Sequence, residues 1–361
     1  MIKKLLLTTA SLCLLYTGAY SQSDKERAQA KAQEALRLED EEGKVDQAIK
    51  LLEEAQQLDP EDMRYPYEIA YAYMYKKEYS KAEHLLQELV KRKNPIVQIY
   101  QSLGNVYDYQ GKPDLAIETY NKGLKKFPGS GLLYTEMGNV QQNQKAYEKA
   151  LSFYEKGIAA DPAFPANYYR AAKLYCNSSE EVWGMIYGEI FMNLERNTAR
   201  TAEISKLLYD TYKSEIRING DTMSVSFSKN TVIIAADAKD LKNFKLPFAA
   251  GCYELLTSLS IIGEQRIDIA SLNRIRTAFI NKYFSEDFAA KYPNILFDYQ
   301  KKIKDAGFIE AYNYWLLMKG NEEEFNKWQA QNQRRWSAFV TWFRDNQMQV
   351  DQSHRFYRFQ Y

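Results

Sequence analysis

Ala48, Ala82, Ala116 and Ala150 stand 34 residues apart, and Gly184 continues the series. Four residues after each alanine comes a bulky apolar residue: Leu52, Leu86, Tyr120 and Tyr154. The pattern breaks at the next step, where Gly188 is small. Twelve residues after three of the alanines comes Pro60, Pro128 or Pro162. A fixed period of this length means one supersecondary unit stacked on copies of itself, because a single unit cannot bury its own apolar face.

Each period reads as two helices and a turn. Tyr100, Leu103, Gly104 and Tyr107 fall on one helical face. Gln110-Gly111-Lys112-Pro113 reads as a helix stop. A second helix carries Leu115, Ala116, Tyr120 and Gly123, and Pro128 ends it. Small residues at Gly104, Ala116 and Gly123 let two backbones approach, and aromatics fill the remaining gap. This resembles the tetratricopeptide repeat, whose pattern is W-x2-L-G-x2-Y, then A-x3-F, then Pro. Residues 97–130 and 131–164 fit well, the latter through Tyr134, Met137-Gly138, Ala150, Tyr154, Gly157 and Pro162. Residues 63–96 keep Ile69-Ala70, Tyr73, Ala82 and Leu86, with Pro95 one place late. Residues 29–62 keep Ala48, Leu52, Ala55 and Pro60 behind a polar first helix, as suits a terminal unit. Residues 165–198 keep Tyr168, Ala171-Ala172 and Tyr175 and read as a degenerate fifth unit.

The start of the chain reads as an export signal. Lys3 and Lys4 precede an apolar run from Leu5 to Leu15, too short to span a bilayer. Ala19-Tyr20-Ser21 fits the small-x-small cleavage rule, so the mature chain is expected to begin at Gln22 in the periplasm or envelope. No later stretch is long and apolar enough for a transmembrane helix. Cys176 and Cys252 remain after cleavage; the sequence favours two buried free thiols over a pair, since spacing cannot place them within bonding reach. The chain has 48 basic and 47 acidic residues, so no broad basic face for nucleic acid is implied.

Beyond the repeats, helical patterning runs from Thr198 to about Lys213. Ile216 and Ile218, then Met223, Val225 and Phe227, then Val232-Ile233-Ile234 predict a three-stranded meander over 215–236. Asp268, Ser285 and Asn321 read as helix N-caps, and a last long helix carries Phe325, Trp328, Trp336, Phe339 and Phe343 on one stripe. The aromatic and basic tail from Arg355 to Tyr361 is expected to pack on the last domain. An aromatic tail is also a feature of outer-membrane barrels, which need many more strands than this chain offers. The expected organisation is a signal peptide at 1–21, a linker at 22–28 and a repeat array at 29–198. A connecting helix with the meander at 199–242 and a helical C-terminal domain at 243–361 follow. The fold class is mainly α, a helical-hairpin solenoid with a small β-meander.

No catalytic, cofactor or metal constellation is legible. His84 and His354 lack ligand-spaced neighbours, and there is no phosphate loop, dinucleotide fingerprint or nucleophile elbow. Glu322-Glu323-Glu324 reads as a capped helix start rather than a metal site. Asp221-Thr222-Met223 matches a bacterial O-glycosylation sequence, which marks Thr222 as a candidate acceptor. The resemblance implies that the first helices line a concave groove and that ninth positions point into it. Those positions are Arg37, Tyr71, Asn105, Asn139 and Lys173. Asn105 and Asn139, each in Gly-Asn-Val, look like the asparagines with which such proteins hold a peptide main chain. An amide offers that main chain both a donor and an acceptor. Gln101, Asp108, Thr135 and Gln142 surround them, and Tyr67, Tyr71 and Tyr169 add apolar contact. Lys173 and Arg37 are the only basic ninth positions and lie at opposite ends, which departs from a carboxylate clamp. The expectation is an exported scaffold for a protein or extended peptide, without cofactor. The alternative is a cell-wall or carbohydrate-active enzyme with the repeats as a targeting arm. Facing carboxylates in a deep C-terminal cleft would favour that alternative.

Overall fold

The computed structural model describes residues 24–38, 43–219, 222–229 and 246–360. The expected signal segment and the third apolar run, Val232 to Ile234, lie outside them. Helices dominate, and the chain divides into two units between Pro128 and Gly129.

The first unit is a row of helical hairpins. It contains α1 (24–38), α2 (Val45–Leu58), α3 (Arg64–Tyr75), α4 (Tyr79–Lys91), α5 (Val97–Tyr109) and α6 (Pro113–Lys126). Each helix packs on the next in sequence from α2 to α6. The alanines of the 34-residue series are fully buried at Ala48, Ala82 and Ala116, and the residues four later, Leu52, Leu86 and Tyr120, are buried with them. The turns obey the same period. Gly43, Lys77 and Gly111 have φ of +81°, +60° and +74°, and Lys145 in the second unit has +59°. Three of these turns close alike. The Lys112 N–H donates to Tyr107 O, Glu78 N–H to Tyr73 O and Ala146 N–H to Gln141 O, while the left-handed residue donates three residues back. This paired closure satisfies the last carbonyls of the first helix and turns the chain into the second.

The second unit begins with α7 (Gly131–Asn143), α8 (Tyr147–Ala160), α9 (Pro165–Tyr175) and α10 (Glu181–Leu194). It continues through α11 (Ala199–Glu215), β1 (Ile216–Asn219) and β2 (Thr222–Val225). A π-helical stretch (Ala249–Glu254) leads into α12 (Leu255–Ser260), α13 (Ile269–Ser285), α14 (Phe288–Lys291), α15 (Ile295–Asp305), α16 (Ile309–Leu317), α17 (Glu322–Gln331) and α18 (Gln333–Asp345). Every residue of α10 except Leu194 is buried. A helix that is apolar all round belongs in the middle of a core. One continuous core accordingly runs from Ala150 on α8 to Phe356. The unit that holds the C-terminal helices thus starts at Gly129, well before residue 243, because α10 joins the repeat helices to those that follow.

The break in the sequence series has a packing cause. A Cβ at Gly188 would lie 3.0 Å from Leu208 on α11, and one at Gly184 would lie 2.5 Å from the Cys176 sulfur. Bulk is absent because α11 and the end of α9 occupy the space. α11 itself begins at Ala199, 34 residues after Pro165, and packs on α9 and α10. The stacking therefore extends one helix beyond the fifth hairpin.

Several local expectations change. Among the described residues the first two expected strands form, in antiparallel register with Ile216 opposite Val225 and Asn219 opposite Thr222. Phe227 leaves that hairpin for the core, ringed by Tyr212 and Tyr253. Asp268 caps α13 reciprocally with Ser271, and Asn321 caps α17. Ser285 is not an N-cap; it is the last residue of α13, and Asp287 in the left-handed region precedes the short α14. The last aromatic stripe is split, because Asn332 ends α17 and opens α18, yet Phe325, Trp328, Phe339 and Phe343 are all buried.

Candidate functional site

In the first unit the first-helix face carries Tyr67 and Tyr71 from α3 and Gln101, Asn105 and Asp108 from α5. Tyr71 is 52% exposed. The Tyr67 hydroxyl lies 3.3 Å from Ser102 Oγ, which ties adjacent first helices together. Burial pushes the Tyr67 phenol up from its usual range and does the same to the neighbouring Glu68 carboxyl. Asn105 is half-buried, and Tyr120 Oη donates to its Oδ1 at 2.6 Å. Its amide nitrogen has no partner among the described residues. Tyr120 reaches Asn105 only because Gly104 lacks a side chain; a Cβ there would lie 2.1 Å from the Tyr120 ring.

The second unit repeats the device one period later. Tyr154 Oη donates to Asn139 Oδ1 at 3.0 Å and to Gln142 Oε1 at 2.9 Å. A Cβ at Gly138 would lie 2.2 Å from the Tyr154 ring. Here the Asn139 amide also donates to Glu136 at 3.0 Å. Thr135, expected at the groove, is buried instead. Its hydroxyl donates to Gly131 O at 3.0 Å and to Asn167 Oδ1 at 2.8 Å, so it joins α7 to α9. Tyr169 is also buried, and its hydroxyl donates to Glu203 of α11 at 2.5 Å. Lys173 pairs with Glu203 at 2.6 Å. The Arg200 guanidinium lies over the Tyr169 ring at 5.1 Å. In the second unit α9 is therefore covered by α11, while Asn139 and Gln142 stay half-buried; in the first unit Tyr71 is exposed and Tyr67, Gln101, Asn105 and Asp108 are half-buried.

Sequence reasoning missed the tyrosines as orienting donors and missed Glu203 and Arg200 as a cover. The first was legible: asparagine occupies the ninth position only in the two units whose second helix carries tyrosine, 15 residues later. The second depended on a helix whose match to the repeat pattern is lost.

Apart from this face, the second unit buries a polar network. Glu189 Oε1 accepts from Arg276 at 2.6 Å, Gln300 at 2.5 Å and Tyr312 at 2.8 Å. Arg276 also donates to Asn313 and to Tyr212. A cavity of about 20 Å³ adjoins it, lined by Glu189, Arg276, Tyr253 and Gln300 among apolar neighbours. Among the described residues no group of three His, Cys, Asp or Glu could hold a metal ion. No helix among them is long and apolar enough to cross a membrane. Cys176 and Cys252 are not joined in a disulfide. His84 is exposed on α4. Thr222 is exposed at the start of β2, and its hydroxyl donates to Asn219 O at 2.9 Å.

Two tetratricopeptide repeat family models match, one over residues 41–103 and the other over residues 102–165. Solved structures resemble the chain in part. PilF of Pseudomonas aeruginosa is 18% identical, covering 53% of this chain and 86% of its own, with a TM-score of 0.43. MamA from Desulfovibrio magneticus RS-1 is 16% identical, covering 49% of this chain and 97% of its own, with a TM-score of 0.38. YrrB, described as a TPR protein with an unusual peptide-binding site, is 17% identical, covering 51% of this chain and 94% of its own, with a TM-score of 0.33. No curated protein matches. The repeat phase, its buried alanines and the family matches agree, and the chain is a tetratricopeptide-repeat protein with its matched repeats in residues 41–165.

Proposed function

We propose that this chain is an exported scaffold whose first-helix face holds an extended segment of a protein partner. The observation that carries the reading is the Asn105–Tyr120 pair. The tyrosine fixes the carboxamide oxygen, which orients the amide N–H groups of this half-buried residue before any partner arrives. A donor that is already oriented loses less freedom on binding than a mobile one. Tyr67 and the exposed Tyr71 supply apolar surface beside it. Asn139 offers the equivalent group in the second unit. The expected setting is the bacterial envelope, supported by Lys3-Lys4, the apolar run and Ala19-Tyr20-Ser21. Near-balanced charge supports a protein partner over nucleic acid.

The enzyme alternative finds no support in the C-terminal helices. They fill their interior with aromatic rings, and the one carboxylate lining the cavity, Glu189, is already paired with Arg276. A glycosidase pair needs two carboxylates several ångströms apart.

The test is partner affinity after capture by crosslinking in cells. Asn105→Ala removes the amide and is expected to weaken binding by roughly 1–3 kcal/mol. Tyr120→Phe keeps the asparagine but releases its orientation, and should weaken binding by a smaller amount. Unchanged affinity in both variants, with native thermal melts, would remove the first-helix face as the binding site.

A further inference from the structure

The repeat helices of the second unit already hold a peptide, and it is the chain's own. Residues 351–354 are exposed, and the segment after them returns to α8 and α10. Phe356 is 1% exposed. Its ring sits among Trp183, Tyr187 and Phe248 at centroid distances of 6.2, 6.3 and 6.2 Å. The Arg358 guanidinium meets Glu155 with Nε at 3.0 Å and Nη2 at 3.3 Å. The Arg358 backbone N–H donates to Tyr187 Oη at 2.8 Å. Arg355 donates to Ala159 O at 2.7 Å, at the carbonyl end of α8.

Glu155 is the informative residue. Its side chain is fully buried, and it already accepts from Tyr175 at 2.9 Å and from Tyr187 at 3.1 Å. A glutamine would satisfy both hydroxyls without burying a charge. A buried carboxylate is unfavourable unless a cation meets it. Among the described residues the cation paired with Glu155 is Arg358 of the returning segment, which keeps 38% of its side chain open to water. One buried aromatic anchor, one charged fork and one main-chain hydrogen bond are how short peptides are held on protein surfaces.

We infer that α8 and α10 form a peptide-recognition site for an arginine–aromatic–x–arginine segment, and that residues 355–358 occupy it in cis. The site is built on α8 and α10 with Phe248 and Tyr175 beside them, and it uses none of the residues of the proposed groove, so it does not rest on that reading. A partner carrying the same chemistry would compete with the chain's own segment.

The experiment uses the full chain with a specific protease site placed in the exposed stretch 351–354. After cleavage the released fragment is removed, and a fluorescent peptide with residues 350–361 of this chain is titrated in. The cleaved protein should keep its helical circular dichroism and bind the peptide saturably. Peptides carrying Phe356→Ala or Arg358→Ala should bind at least about tenfold more weakly, and the uncut chain should bind the parent peptide at least about tenfold more weakly. A folded cleaved protein that ignores the peptide, or binds all three alike, overturns the proposal. So does loss of helical signal on cleavage, which would make the segment part of the core. Hydrogen exchange on the uncut chain gives a second reading. The amides of residues 356–358 should exchange at least about tenfold faster than those in the middle of α10. Equal protection means that the segment leaves only on global unfolding, which also overturns the proposal.

Discussion

Asn105 and Tyr120 show how one hydroxyl alters the reading of a residue. On sequence, Tyr120 fills the gap between two helices and Asn105 sits on an exposed face. In the structure the tyrosine does both tasks, filling the core with its ring and fixing the amide with its Oη. Polar groups in the second unit are held as tightly. Arg276 and Glu189 have side chains only 8% and 4% exposed. Arg276→Met leaves Glu189 buried without its cation and should cost roughly 3–5 kcal/mol of stability by denaturant unfolding. Replacing both residues by methionine should cost clearly less than the sum of the single changes, since the charge that would be stranded is gone. At Cys176, burial pushes the thiol up to about 12, while the Thr211 hydroxyl acts weakly the other way. The thiolate is the reactive form, so almost none is present at pH 8. Iodoacetamide at that pH should label neither cysteine in the native protein and both after denaturation. Rapid native labelling of Cys176 would contradict this account of its surroundings.

At the scale of elements, the period governs the turns as well as the helices. Gly43, Lys77, Gly111 and Lys145 occupy one left-handed position, and two of the four are lysines. A side chain there costs roughly 1–2 kcal/mol that glycine avoids. Lys145→Gly should therefore raise the denaturant midpoint slightly, net of the glycine's extra unfolded-state freedom. Packing sets the opposite limit. Ala116→Leu adds bulk where the alanine is fully buried and should cost roughly 1–3 kcal/mol. An unchanged midpoint would show that the helices are phased wrongly. Much of this was legible, because Ala116 and Gly104 each have a packing reason to recur. Gly111 was legible as part of a helix stop, but Lys77 and Lys145 were not, since lysine carries no signal for a left-handed backbone. Ser285 was misread because a serine before two acids fits a helix start, while the chain there ends one helix and enters a short one. Thr135 and Tyr169 were misplaced because a surface position on one hairpin becomes interior when the next helix covers it. Nothing in their own neighbourhood announces Asn167 or Glu203.

At the scale of the whole molecule, the units differ in how far their sequence shows their organisation. The described residues of the first unit form hairpins that recur at a visible period. In the second unit the period persists to about residue 164, and beyond it α10 is buried nearly all round and the repeat pattern fades as that helix takes contacts from both sides. The central claim is that partners dock on the first-helix face. A photo-crosslinking amino acid placed at Tyr71 or Gln101, compared with one at the exposed second-helix positions His84 and Lys122, tests it most directly. The account predicts adducts from Tyr71 and Gln101 and none from His84 or Lys122. Adducts from the second-helix positions alone would contradict it.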